Sequence, residues 1–186
     1  MRVISGTARG RKLKTPAGSD IRPTADLIKE SIFNIVQFDI EGRRVLDIFA
    51  GTGQLGIEAL SRGARSAVFV DSSNQAIKLI CENLKHCEFS ENSTVIRRDA
   101  LKFLQNSEKF DLIFIDPPYA ENSSDEILQK IIEFDKLNDN GIIIFEMSAD
   151  SGAPAADLPY KLNKEYKYGG VKIVKYSKEP EGGLNI

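Results

Sequence analysis

Val45-Leu46-Asp47-Ile48-Phe49-Ala50-Gly51-Thr52-Gly53-Gln54-Leu55-Gly56 is the stretch that decides the fold. Its first five residues are a short apolar run closed by glycines, the pattern of a buried strand. Leu55 to Arg62 then reads as a helix stopped by Gly63, a natural residue for leaving a helix. Ala67-Val68-Phe69-Val70 is a second buried strand, closed by Asp71.

The alternation continues downstream. Ser72 or Ser73 caps a helix whose inner face is Ile77, Ile80, Cys81 and Leu84. A weaker strand, Thr94 to Arg97, ends at Asp99-Ala100. Asp111 to Ile115 is the fourth strand and runs without a gap into Asp116-Pro117-Pro118-Tyr119. Ser123 and Glu126 have capping-box spacing at the start of another helix, and Ile142 to Glu146 is the fifth strand. Lys164 to Tyr168 and Val171 to Tyr176, joined by Gly169-Gly170, read as an antiparallel hairpin. Apolar strands separated by helices imply an α/β fold, a mostly parallel sheet of seven strands including the C-terminal hairpin, with helices on both faces. Ligands in such sheets sit beyond the carboxyl ends of the strands. Here those ends carry the glycine turn, Asp71, Asp99 and the Asp-Pro-Pro-Tyr tetrad.

Upstream of the sheet, Arg2 to Ser5 and Arg11 to Lys14 flank a turn at Gly6 and Gly10, which reads as a small N-terminal β-hairpin arm. Thr24 is a good helix cap, and Leu27, Ile28, Ile32, Ile35 and Val36 predict an amphipathic helix over 25–38. The chain therefore divides into an arm over 1–22, a body over 23–178 and a loose tail over 179–186.

The chain has 186 residues, 41% hydrophobic and 28% charged, which excludes disorder and fits one domain with a small appendage. No apolar run reaches the ~20 residues that span a bilayer, and no secretory leader is visible, so a cytoplasmic protein away from membranes is expected. Cys81 and Cys87 are too few for a disulfide framework, and with His86 they lack zinc-site spacing, so no metal is expected. The net charge of −2 is unevenly spread: residues 1–22 carry +5 and the rest −7. An acidic body with a basic arm points to a polyanion at the arm, against the plainer reading of a solvated hairpin.

Gly51-Thr52-Gly53-Gln54-Leu55-Gly56 matches the dinucleotide fingerprint, with Asp71 at the position of the ribose-binding acid. Asp47 argues against a pyrophosphate, because its charge on the first strand would oppose one. S-adenosylmethionine carries a sulfonium and an ammonium, which that carboxylate would favour, and Asp71 could still hold its ribose hydroxyls. Asp99-Ala100 would meet the adenine edge. The tetrad then narrows the chemistry. Two prolines fix φ and remove two backbone donors, leaving a carboxylate, a free carbonyl and an aromatic ring held together. That set suits a planar exocyclic amine on a nucleobase. Asp116 and the Pro117 carbonyl would accept its two N–H bonds and localise the nitrogen lone pair, while Tyr119 stacks on the base. The base must be unstacked for the methyl donor to reach it.

The motif Asp47 to Gly53 with Asp116-Pro117-Pro118-Tyr119 resembles the S-adenosylmethionine-dependent amino-methyltransferases of nucleic acids. Gly10-Arg11-Lys12-Leu13, Arg22-Pro23-Thr24, Lys29 to Asn34 and Leu55 to Ala64 narrow the resemblance to the RsmD family, over nearly the whole length. The resemblance implies a Rossmann-like class I methyltransferase fold and a monomeric enzyme that methylates guanine N2 in 16S rRNA of the 30S subunit. It implies cofactor contacts at Asp47, Phe49, Gly51, Thr52, Gly53, Asp71, Ser72, Asp99 and Ala100, and a catalytic group of Asp116, Pro117 and Tyr119. Arg9, Arg11, Lys12, Lys14 and Arg22 are the expected contacts to rRNA phosphates. Gln54 departs from the small residue expected in that turn. Because the tetrad serves any planar amine, adenine N6 or cytosine N4 methylation of other RNA or DNA stays open, as does a cofactor-binding ribosome assembly factor without catalysis.

Overall fold

The computed structural model describes residues 1–16, 23–117 and 124–180. Its centre is a seven-stranded sheet in the order β3-β2-β1-β4-β5-β7-β6. The strands are β1 (Arg44–Ile48), β2 (Ser66–Asp71), β3 (Ser93–Arg97), β4 (Phe110–Ile115), β5 (Leu137–Ser148), β6 (Tyr160–Tyr168) and β7 (Val171–Lys178). The first five pair in parallel, and β7 lies antiparallel between β5 and β6. In β1, Val45 to Ile48 are all buried, because both faces of the sheet are covered.

One face packs against α1 (Pro23–Ile35), α2 (Gln54–Ser61), α3 (Asn74–Cys87) and the N-terminal segment. The other packs against α4 (Ala100–Asn106) and α5 (Ser124–Glu133). On the first face the rings of Phe33 in α1 and Phe114 in β4 lie 5.5 Å apart. Gly56 sits where α2 crosses β2, and a Cβ there would fall 2.3 Å from the buried Phe69 ring, so any larger residue has to displace that ring.

Several features differ from the sequence reading: β6 begins at Tyr160, four residues before the expected start, and Cys81, expected on the inner face of its helix, is exposed. The helix expected over 25–38 ends at Ile35, and Phe38 stands 92% exposed beyond it. The short helix α4 has no counterpart in the sequence reading, because only Ala100, Phe103 and Leu104 of its seven residues are buried and no period can show. β5 begins at Leu137, with a register shift against β4 and Asn140 at φ 58°, features that hydropathy does not carry.

The N-terminal segment is a docked loop with a single antiparallel bridge, Arg2 to Lys12, in place of two strands. Val3, Ala8 and Leu13 are buried in the core beneath it. Its backbone is held by Glu58 in α2, whose Oε2 and Oε1 accept from the Ile4 and Ser5 amides at 2.7 and 2.9 Å. Arg62 Nε donates to the same carboxylate at 2.9 Å, and the Lys29 ammonium lies 3.5 Å away and donates to the Arg2 carbonyl. Glu58 and Lys29 are both buried, so this pair sits in low dielectric. Among the described residues, no helix is long and apolar enough to cross a membrane.

Candidate active site

The sheet order reverses between β1 and β4, and a cavity of about 470 Å³ opens beyond the strand ends there. It is lined by Phe49, Gly51, Val70, Asp71, Ser72, Arg98, Asp99, Ala100, Asp116 and Pro117. Eight of the residues expected at the site therefore share one wall, while Val70 and Arg98 were not anticipated. Arg98 enters because its amide donates to the Asp71 carbonyl at 3.0 Å, a backbone relation with no sequence signature.

The turn after β1 is built from unusual backbone. Phe49 has φ 68° and Gly51 φ 55°, two left-handed residues with one residue between them. For a phenylalanine that conformation is strained, and the neighbouring contacts hold it. The Ala50 amide donates to the Val70 carbonyl at 3.0 Å, and the Gly51 amide donates to Asp71 Oδ2 at 2.9 Å. Asp71 Oδ1 accepts from the Ser73 amide at 2.8 Å, so this carboxylate ties the turn after β1 to the start of α3. An ionised carboxylate has room for about four hydrogen bonds, so two acceptor positions remain for a pair of hydroxyls in the cavity. Asp99 caps α4, accepting from the Lys102 amide at 3.0 Å, and lines the cavity.

Three residues expected to touch the cofactor lie behind the cavity wall. Asp47 is buried and its Oδ2 accepts from the Gly56 amide at 2.9 Å, so it braces the first turn of α2. Burial raises its pKa to about 7, with the Asp71 charge adding to the rise and the Gly56 hydrogen bond opposing it. Gly53 caps α2 with φ 77°. Thr52 gives its carbonyl to Asn83 Nδ2 at 2.9 Å. The reason is geometric: the left-handed conformations at Phe49, Gly51 and Gly53 break the strand's alternation at this turn, so spacing alone does not set which residue faces the cavity.

At the tip of β4, Asp116 and Pro117 line the same cavity as Asp71 and Asp99. Burial pushes the Asp116 carboxyl well above the usual carboxylate range, and the charges of Glu146 and Asp47 push it further. Parallel pairing of Ile115 with Phe145 and of Ile48 with Ile115 brings these three acids to adjoining strand ends. Such a cluster favours a cation in the cavity. A donor bearing a sulfonium and an ammonium fits that preference. Tyr119 and Arg22, together with Pro118, Ser123 and the segment 181–186, lie outside the described residues.

The basic segment is distributed differently from expectation. Arg11 donates to the His86 carbonyl at 2.5 Å and pairs with Glu88 at 2.9 Å, and Lys14 pairs with Glu82 at 2.8 Å. These two cations face α3, where the carbonyls and acids near the helix C-terminus attract them. Arg9 and Lys12 are exposed and have no acidic partner among the described residues.

A family model described as conserved hypothetical protein 95 matches residues 1–177. YlbH of Bacillus subtilis (strain 168) is 42% identical over 181 residues, covering 94% of this chain and 98% of its own. The ribosomal RNA small subunit methyltransferase D of Escherichia coli (strain K12) is 32% identical over 183 residues, covering 98% of this chain and 92% of its own. Among solved structures, the Escherichia coli protein yhhF superposes with a TM-score of 0.87 at 29% identity, covering 97% of this chain and 99% of that one.

Proposed function

The chain belongs to the RsmD-like 16S rRNA (guanine-N2) methyltransferase family, and from that premise we propose that it methylates the N2 amine of a guanine in 16S rRNA of the 30S subunit, in the cytoplasm and as a monomer. S-adenosylmethionine is the cofactor of this fold and supplies an electrophilic methyl group on positively charged sulfur. The observation that carries the reading is that Asp116 and Pro117 line one cavity with Asp71 and Asp99, so the amine grip and the cofactor wall adjoin.

In this reading Asp71 orients the ribose, Asp99 and Ala100 bound the adenine, and Phe49, Gly51 and Ser72 complete the wall. Asp47 acts from behind, fixing the α2 turn through Gly56. Asp116 and the Pro117 carbonyl accept the two N–H bonds of the target amine. Its lone pair is then no longer shared with the ring and points at the methyl carbon. Holding nucleophile and methyl carbon ~3–3.5 Å apart contributes most of the acceleration. Positive charge in the cavity lowers the Asp116 pKa and favours its ionised form, so the acceptor is stronger when the methyl donor is present. The amine proton leaves after nitrogen becomes cationic, with Asp116 beside it to receive it. Tyr119 stacks on the base, and Arg9, Lys12 and Arg22 contact rRNA phosphates, with Arg11 and Lys14 shaping the segment against α3.

The test is mass mapping of 16S rRNA from cells with and without this gene. One N2-methylguanosine disappears on deletion and returns with the wild-type gene. Unchanged modification on deletion, or loss of a methyladenosine or methylcytidine instead, would overturn the reading.

A further inference from the structure

An Asp-Pro grip on an amine does not by itself tell guanine from adenine or cytosine, because all three bases carry a planar exocyclic NH2. The bases differ at the ring nitrogen beside it: guanine has an N–H there, whereas adenine and cytosine offer a bare lone pair. Recognition of guanine therefore requires a hydrogen-bond acceptor next to the Asp116 grip.

Two buried acceptors without a hydrogen-bond partner among the described residues are Asp26 Oδ1, whose carboxylate acts on Lys29 only through its charge, and Gln54 Oε1. An unpaired buried acceptor is destabilising, which makes two of them at related positions a feature to explain. Asp26 is in the first turn of α1, and Gln54 is the first residue of α2. The helices run side by side in the same direction, because Lys29 meets Glu58 at 3.5 Å and, one turn later on both, Phe33 carries the Arg62 guanidinium 4.7 Å from its ring centre. One turn earlier on the same faces come Asp26 and Gln54, toward the strand ends that carry the cavity.

Phe33 also fixes their level against β4, since its ring lies 5.5 Å from that of Phe114. From Phe114 the strand climbs roughly 7 Å to Asp116, at about 3.3 Å per residue. From Phe33 the helix climbs roughly 10 Å in the same sense to Asp26, at about 1.5 Å per residue. Along the strand direction Asp26 thus lies a little beyond the level of the β4 tip, on the face covered by α1 and alongside the cavity lining rather than in it. Asp47 and Gly56 join on this face, so the β1 acid that acts on Asp116 and the two orphan acceptors share one side of the sheet.

We propose that Asp26 reads the ring N–H of the target base, with the Gln54 amide as a second polar contact on the same edge, and that this makes the enzyme specific for guanine. The proposal rests on the function given above and adds the residues that choose the base. A carboxylate accepts from guanine N1–H and repels the lone pair at the corresponding atom of adenine or cytosine.

The experiment compares methyl transfer to 16S rRNA carrying guanine or 2-aminopurine at the methylated position. 2-Aminopurine keeps the amine but has a bare N1. Wild-type enzyme should prefer guanine, and Asp26→Asn should reduce that preference about tenfold while S-adenosylmethionine binding, measured by calorimetry, stays within about threefold. Gln54→Ala should reduce it less. If Asp26→Asn is too slow to assay, competition binding of the two RNAs gives the same ratio. A preference unchanged in Asp26→Asn overturns the proposal; if cofactor binding weakens instead, the two acceptors serve the ammonium of the methyl donor. Wild-type enzyme that transfers no methyl to guanine rRNA overturns the functional reading itself, a result distinct from an active enzyme with an unchanged ratio.

Discussion

The Asp47 carboxylate is buried under α2 and accepts the Gly56 amide proton at 2.9 Å, joining the first strand to the first turn of the helix that follows it. Its pKa lies at about 7, chiefly because burial disfavours the charge. The unfolded value is about 4, so between these two pH values the native state holds a proton that the unfolded chain has released. The stabilisation from that proton is complete below about pH 4 and is lost as pH rises through about 7. Asp47→Asn removes the titration and keeps an acceptor for Gly56. Urea unfolding from pH 4 to 8 should show wild type losing on the order of 4 kcal/mol relative to Asp47→Asn. A constant difference across that range would contradict the assignment.

Cofactor binding should release protons. Burial and the charges of Glu146 and Asp47 raise the Asp116 pKa well above the usual carboxylate range, and a sulfonium nearby lowers it again. Calorimetry at pH 7 in buffers of different ionisation enthalpy should show a proton released with S-adenosylmethionine. S-Adenosylhomocysteine, which lacks the sulfonium charge, should release fewer, and Asp116→Asn should narrow the gap. Equal release by both ligands in wild type would place the sulfonium away from Asp116.

Asp71 should matter to affinity through the turn as well as through the ribose. Its oxygens accept from the Gly51 and Ser73 amides at 2.9 and 2.8 Å. Asp71→Asn keeps one acceptor oxygen and turns the other position into a donor that faces an amide. The Kd for S-adenosylmethionine should rise by about 1.5–3 kcal/mol, or roughly 10–150-fold. A Kd within twofold of wild type would show that the carboxylate holds neither.

The Glu58 and Lys29 pair anchors the N-terminal segment. Burial lowers the Lys29 pKa, and Glu58 opposes that shift. Glu58→Gln leaves the ammonium without its counter-charge and weakens the acceptor for Ile4 and Ser5, so it should destabilise the fold by about 3–5 kcal/mol. Adding Lys29→Met should recover much of that loss in denaturant unfolding. A double variant as unstable as Glu58→Gln alone would mean the lost backbone bonds, and not the buried charge, carry the effect.

The parallel sheet was legible because Val45 to Phe49, Ala67 to Val70 and Asp111 to Ile115 are continuous apolar runs, and only strands covered on both faces are written that way. The acidic strand ends followed from the same boundaries, which is why Asp71, Asp99 and Asp116 meet in one cavity. What sequence does not encode is which way each polar group turns. Asp47 and Phe49 are two apart on one strand end, yet one faces α2 and the other the cavity, through the left-handed conformation at Phe49. The charges of Arg11 and Lys14 were plain, but their partners Glu88 and Glu82 lie some 70 positions away on α3. α4 was missed because seven residues give a helical period too little room.

The most direct measurement is methyl transfer by Asp116→Ala to 30S subunits that lack the modification, alongside its affinity for S-adenosylmethionine. With the carboxylate gone, the Pro117 carbonyl alone faces the amine, and transfer of N2-methyl groups should fall at least about 100-fold while the cofactor Kd changes by only a few-fold. Transfer at the wild-type rate with a correctly folded variant would contradict the account, because the amine would then be activated somewhere other than the tip of β4.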